Sequence, residues 1–244
     1  MTEAVLYDFT DGLARITLNR TDARNALNIA MCEALVAATR RAREDGARCV
    51  LVRALGPVFC AGADLKERQG MGDDAVRARR LKSFAAYDAL ERLPMPAIAV
   101  VEGAAVGSGV EIAAACDFII ATPAASFRTP EALWGTVGAT QRLPRIIGKR
   151  LAKDLMFTGR ALGAEEAREA GLVSRVVTAE ALEATIADIT ATILKAPPAA
   201  MALAKRCVDE GLERDPRGAL ATEILAIEES LAAAEWRKAM QGFG

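Results

Sequence analysis

The sequence contains no histidine, so nothing in it can build a Ser-His-Asp triad, a Cys-His pair or an imidazole metal site. Acid–base chemistry in this chain must come from Glu, Asp, Lys, Tyr or Cys. Three segments have the residue types for it. Cys60-Ala-Gly-Ala-Asp-Leu-Lys-Glu67 joins small residues to a start of helix, which lets backbone approach a ligand closely and turns free N–H groups outward. Gly103-Ala-Ala-Val-Gly-Ser-Gly-Val-Glu111 reads as strand, glycine turn, helix N-terminus, an arrangement suited to negative charge. Thr129-Pro-Glu131 sets a carboxylate just after a short strand. Singly, these are a tight turn, packing glycines and a helix-start acid favoured by the dipole. The glycines also miss the dinucleotide pattern, lacking its third glycine and its acidic residue at the right distance. Their order on one strand–helix frame is what points to chemistry.

The elements that must hold these segments can be read from periodicity. Residues 5–9 and 14–18 alternate around Asp11-Gly12, which predicts a hairpin. A helix follows over 29–44, ended by Gly46, and then a short buried strand over 48–53. Residues 56–64 are irregular and 66–74 form a polar, mobile loop. An amphipathic helix runs over 74–93 until Pro94 and Pro96 stop it. Buried strands follow at 97–101 and 118–121, separated by the tight glycine loop and a helix ending at Ala115. A strand–strand–helix unit thus recurs about three times, without an exact sequence repeat. Helices are expected over 141–147, 149–157, 164–170, 180–194, 198–213 and 217–234. The reading is an α/β body over 1–190 and a helical region over 191–244.

Composition narrows the function. Lys+Arg is 31 against Asp+Glu 32, a net charge of -1, so steering onto nucleic acid or an anionic membrane is not expected. The charged fraction of 26% beside 52% hydrophobic residues is that of a folded globule. Cys32, Cys49, Cys60, Cys116 and Cys207 follow no metal or disulfide spacing and read as reduced thiols, mostly small core fillers, in a cytoplasmic protein. The start shows no basic-then-apolar leader, and no apolar run reaches the roughly 18 residues of a membrane span.

The chain resembles the enoyl-CoA hydratase/isomerase (crotonase) superfamily over nearly its whole length, from Leu18-Asn19-Arg20 and Asn25-Ala-Leu-Asn28 to Trp236. The resemblance is carried by Phe59 to Glu67, Gly107-Ser-Gly-Val-Glu111 with Ala115-Cys-Asp117, Pro130-Glu131, Thr140-Gln-Arg-Leu143 with Gly148, Thr158-Gly159, and Ala167 to Val173. It implies a crotonase-type superhelix of strand–strand–helix units with C-terminal helices that drive formation of a homotrimer or a dimer of trimers. It implies an acyl-CoA thioester substrate, with coenzyme A as part of that substrate and no separate cofactor or metal. The backbone N–H groups of Ala63 and Ser108 match the family's oxyanion hole. The family usually has Gly at the Ser108 position, but only the amide is needed, so Ser serves if the turn does not demand positive φ there.

Glu111 and Glu131 match the two catalytic glutamates of the hydratases, Glu131 exchanging the proton at the α-carbon and Glu111 holding the water. Both acids together favour a hydratase over the alternatives, another acyl-CoA enzyme of the superfamily (isomerase, hydrolase or decarboxylase) or a non-catalytic acyl-CoA-binding protein, and two such carboxyls are expected to titrate as a coupled pair. By the same resemblance Arg24 and Ala26 lie beside the CoA adenine. Ala61, Asp64, Leu65 and Lys66 lie in the segment that lines the thioester and pantetheine. The acyl pocket is bounded by residues 66–80, Trp134 and Val137, with Trp134 either a packing side chain or a specificity wall. Two departures matter: the basic segment with which the family usually continues past the position of Phe243 to touch CoA is not seen here, with Arg237 or Lys238 as candidate substitutes, and the loop after Glu131 differs. After Glu131 the family's hydratases carry a longer loop with a proline, where this chain has Gly135-Thr-Val-Gly-Ala-Thr-Gln-Arg-Leu143. The shorter loop either moves Glu131 or reshapes the acyl pocket.

Overall fold

Two parallel-dominated sheets grow side by side as the chain repeats its unit. The computed structural model describes residues 3–233 and 237, so Trp236 and Lys238 lie outside the described residues. The first strands, β1 (Val5–Thr10) and β2 (Leu13–Leu18), are antiparallel. Asp11 and Gly12 join them with φ of 51° and 84°, the left-handed pair that a two-residue hairpin of the favoured twist requires. Helix α1 (Ile29–Glu44) follows, capped by the Asn28 side chain, which accepts from the Met31 N–H.

The next unit is β3 (Cys49–Ala54), β4 (Val58–Cys60), a single turn α2 (Leu65–Arg68) and the long α3 (Asp73–Glu91). Then come β5 (Ala97–Val101), β6 (Ala104–Val106) and α4 (Ser108–Ala114), and after them β7 (Phe118–Ala121), β8 (Ser126–Arg128) and α5 (Arg142–Ile147). The unit therefore occurs once more than the sequence suggested, because second strands as short as β4, β6 and β8 leave little periodicity to read. Two expectations change. Residues 58–60 and 104–106 are strands rather than irregular segments, and the start of the expected mobile loop, residues 66–68, belongs to a helical turn that begins at Leu65. Asp64 causes the latter: its side chain accepts from the N–H groups of Lys66 and Glu67.

Successive first strands pair into a six-stranded sheet of order β1-β2-β3-β5-β7-β10, where β10 is Arg175–Val176. Successive second strands stack into a four-stranded sheet of order β4-β6-β8-β9, where β9 is Leu162–Gly163. After the first unit, whose two strands both enter the larger sheet, each unit adds one strand to each sheet.

The central strands are apolar except for Arg53 near the end of β3, because both faces of the larger sheet are covered. Val50, Val52, Ala97, Ala99 and Val101 face the core with α1 and α3. Their neighbours Cys49, Leu51, Ile98 and Val100 face Leu182 and Ile186 of α8 (Ala179–Lys195). The expected boundary between residues 190 and 191 falls inside α8. Since α8 seals one face of the sheet, it belongs to the α/β body as a unit, and the Pro197-Pro198 turn separates it from α9 (Pro198–Gly211) and α10 (Pro216–Ala233). Four of the cysteines are buried in this core and all five are unpaired.

Candidate active site

Glycines bring two backbone N–H groups to one cavity. After β4 the chain turns at Gly62, whose φ of +97° and 3.2 Å approach of a notional Cβ to the Val106 carbonyl oxygen both require glycine. The Leu27 N–H donates to the Gly62 carbonyl at 2.7 Å and the Asp64 N–H donates to the Leu27 carbonyl at 2.9 Å. Between those bonds, the Ala63 N–H has no acceptor among the described residues. After β6, Gly107 takes a φ of 50° and donates its N–H to the Arg128 carbonyl at 2.8 Å. Ser108 then opens α4, where the first N–H groups have no intrahelical acceptor. The positive φ falls on Gly107 and not on Ser108, so a side chain is tolerated at the second amide. The next residue, Gly109, packs α4 against β4 so closely that a Cβ there would stand 2.5 Å from the Cys60 carbonyl oxygen. That approach lets Ala63 and Ser108 line the same cavity, of about 40 Å³.

Both predicted carboxylates line it too. Glu111 lies three residues after Ser108 on α4, hence on the same helical face, and is 8% exposed. Its carboxylate accepts from Arg142 Nη1 at 2.9 Å, and Arg142 also holds Glu91 through Nε at 3.1 Å and through Nη2. The same guanidinium stands over the Tyr87 ring, 5.8 Å from its centroid. Tyr87 is buried, which pushes its phenol up, and it faces the Ser108 hydroxyl.

Glu131 is placed differently. It starts a short 3-10 turn (Glu131–Trp134) after β8. Its carboxylate lies in a cradle with no room for side chains. A Cβ on Gly107 would stand 2.5 Å from Oε1, and one on Gly138 would stand 2.9 Å from the same atom. The buried Oε2 has no hydrogen-bond partner among the described residues. Burial raises the pKa of this carboxyl, the Glu111 charge adds to the rise, and its own backbone N–H and Arg80 only partly oppose it. The two carboxyls act on each other through space but sit in unlike surroundings. One is balanced by a guanidinium and the other is left without a counter-ion in contact, so they differ in chemistry before any substrate arrives.

The remaining predicted residues divide. Arg24 is exposed at a φ of 53°, and its carbonyl accepts from the Ala61 N–H at 3.0 Å. This ties the Arg24–Ala26 turn to the Ala61 strand end beside the cavity. Leu65 and Lys66 are exposed on α2. The Asp64 carboxylate is fully engaged, capping α2 and pairing with Arg20 Nη2 at 3.0 Å. Burial pushes its pKa up, yet the Glu67 N–H and Arg20 outweigh that and hold it below the ordinary range. Asp64 is thus a structural carboxylate rather than a ligand-facing one. Trp134 and Val137 are 57% and 67% exposed and are not among the residues that line this cavity. Here the short loop turns outward, and Gly138 and Ala139 close the wall in their place.

Sequence reasoning missed Arg142, Tyr87 and Phe84, and held Arg80 only as the end of the 66–80 segment. Arg142 was visible only as part of Thr140-Gln-Arg-Leu143. The others had a signal in the helical spacing of Val76, Arg80, Ser83, Phe84 and Tyr87, one stripe of α3 that forms the cavity's far wall.

Comparison with known proteins agrees with this architecture. The family model described as enoyl-CoA hydratase/isomerase matches residues 8–244. The enoyl-CoA hydratase domain-containing protein 2, mitochondrial, of Mus musculus is 38% identical, covering 95% of this chain and 81% of its own. The methylglutaconyl-CoA hydratase, mitochondrial, of Homo sapiens is 35% identical over 87% of this chain and 65% of its own. Among solved structures, an enoyl-CoA hydratase from Bacillus anthracis superposes with a TM-score of 0.94 at 36% identity, covering 98% of this chain and 95% of that one.

Proposed function

The chain belongs to the enoyl-CoA hydratase/isomerase family of the crotonase superfamily, and from that premise we propose that it adds water across the 2,3 double bond of a 2-enoyl-CoA thioester. One observation carries this reading: two unengaged amides and two unlike carboxyls line one cavity. Addition of water at the β-carbon sends negative charge to the thioester oxygen. In this reading that oxygen accepts from the Ala63 and Ser108 N–H groups, where loss of one such donor costs on the order of 3 kcal/mol. Glu111, oriented by Arg142, holds and activates the water. Glu131 exchanges the proton at the α-carbon, a task for which a carboxyl raised by burial is suited. Ala61, Ala63, Leu65, Lys66 and Ser108 flank the thioester arm, and the Arg24–Ala26 turn meets the adenine end. The chemistry calls for no metal or separate cofactor.

The ion pair of Glu111 with Arg142 favours one second reading. If that carboxylate is only structural, Glu131 alone could shuttle a proton between two carbons and move a double bond. Turnover of crotonyl-CoA and longer 2-enoyl-CoAs, read by product mass, decides between the two. A gain of one water, lost in both Glu111→Gln and Glu131→Gln, supports the hydratase. A product of unchanged mass from a 3-enoyl-CoA, surviving Glu111→Gln, overturns it in favour of isomerisation.

We further propose a homotrimer or a dimer of trimers in the cytoplasm, with no nucleic acid or membrane partner. Leu220, Ile224, Leu225 and Ile227 of α10 are each at least half exposed, which is apolar area suited to a second copy. The unpaired thiols support a reducing compartment. Light scattering should give a mass that is a threefold or sixfold multiple of 25.8 kDa.

A further inference from the structure

The arginines around the cavity fall into two groups. Arg79 is almost fully buried, pairs with Glu67 at 2.7 Å and donates to the Leu27 carbonyl. Arg142 is held by two glutamates. Arg68 and Arg80 also line the cavity and are half-buried, but neither has a carboxylate partner among the described residues. Arg80 donates only to neutral oxygens, the Thr136 hydroxyl at 3.2 Å and the Val137 carbonyl. A guanidinium carries five donors, so most of its capacity is unused. Partly desolvating a cation without a counter-ion is unfavourable, and this chain meets that requirement for the neighbouring arginines with its own glutamates. It leaves Arg68 and Arg80 without an ion pair in contact on the wall of one small cavity, where Arg80 acts on Glu131 only through space.

Their position says what would compensate them. Arg80 stands seven residues before Tyr87 on α3, about 10 Å along the helix axis, and Tyr87 faces Ser108. A guanidinium on a long side chain at that distance, reaching the loop after Glu131, meets the far end of a short acyl chain whose thioester sits at Ser108. Building on the proposed acyl-CoA site, we infer that its substrate is an acidic enoyl-CoA, a short acyl chain ending in a carboxylate that Arg80, with Arg68 beside it, binds. The same chemistry could come from a phosphate of CoA, and the test separates the two sources.

The measurement is calorimetric binding of two saturated, non-reacting thioesters, glutaryl-CoA and butyryl-CoA, which share CoA and differ in the terminal carboxylate. The wild-type protein should bind glutaryl-CoA at least about tenfold more tightly, the scale of a charge-assisted pair. In Arg80→Met that ratio should collapse toward one, whereas Arg80→Lys should keep part of it. Equal affinity of the wild type for both thioesters overturns the inference. So does a ratio that survives Arg80→Met while both affinities fall together, since the arginine would then serve CoA. Turnover is read separately on glutaconyl-CoA and crotonyl-CoA. A preserved binding ratio without hydration removes the hydratase reading and leaves the acidic ligand; hydration of both without a binding preference does the reverse.

Discussion

The α4 wall of the cavity and the loop after β8 each contribute one glutamate, and they hold it by opposite means. On the α4 wall everything is set by packing. Gly109 locks the helix onto β4, Ser108 and Glu111 follow at helical spacing, and Arg142 neutralises the carboxylate. On the loop side the carboxylate is set by absence. Two missing side chains, at Gly107 and Gly138, make its room, and no partner takes its buried Oε2. The loop itself is open to solvent at Leu133, Trp134 and Val137. The comparison teaches that one residue type does two jobs through its surroundings: an ion-paired carboxylate on a rigid helix, and a desolvated carboxyl on a loop that can give.

The sharpest way to break the comparison is to remove the desolvated acid. Glu131→Gln should lower kcat by roughly a thousandfold, measured by loss of enoyl absorbance on crotonyl-CoA; a drop no larger than tenfold would make Glu131 a bystander. Gly138→Ala should come next. A methyl group there displaces the Glu131 carboxylate, and a shift of about 1 Å costs on the order of a hundredfold in kcat. The loop should yield with little change in Tm, so a large Tm loss would show it is as rigid as α4. Gly109→Ala tests the other wall in the opposite sense. The Cβ meets backbone at 2.5 Å, not a movable side chain, so destabilisation by about 1–3 kcal/mol is expected from overpacking, read as a lower urea midpoint. An unchanged midpoint would show that α4 is not locked.

The smallest effect concerns pH. Burial raises the Glu131 carboxyl above its ordinary 4.5 in the folded chain. Its protonated form therefore favours folding at pH below about 4.5, and that contribution is lost as pH rises through the raised folded value. Glu131→Gln keeps the neutral form at every pH. Its Tm should exceed that of the wild type by about a degree or two at pH 8, and the gap should close below pH 4.5. A Glu111→Gln variant should show no such gain, because it takes from Arg142 one of its two carboxylate partners and leaves only Glu91.

Much of this was legible in the chain. The Asp11-Gly12 hairpin, the long helices and the apolar strands follow from turn chemistry and periodicity, which are local. The glycine-bounded segments at Ala63 and Ser108 and the two glutamates stood out for the same reason. Three-residue strands did not, since three residues cannot display a period. The turn at 65–68 was hidden because it depends on Asp64 acting as a cap rather than as a ligand-facing acid.

By itself, the sequence determined that any acid–base work here is done without imidazole, that two glutamates follow glycine-rich turns, and that a repeated strand–strand–helix unit carries them. Tertiary structure alone decided how those glutamates differ. The partner of Glu111 comes from α5, thirty-one residues away, and the cradle of Glu131 is closed by Gly107 from another unit. The exposure of Trp134 and the lack of an ion pair at Arg80 were settled in the same way. Charge balance and desolvation depend on what stands within a few ångströms in space, and residue spacing along a chain does not encode that until the sheets have stacked.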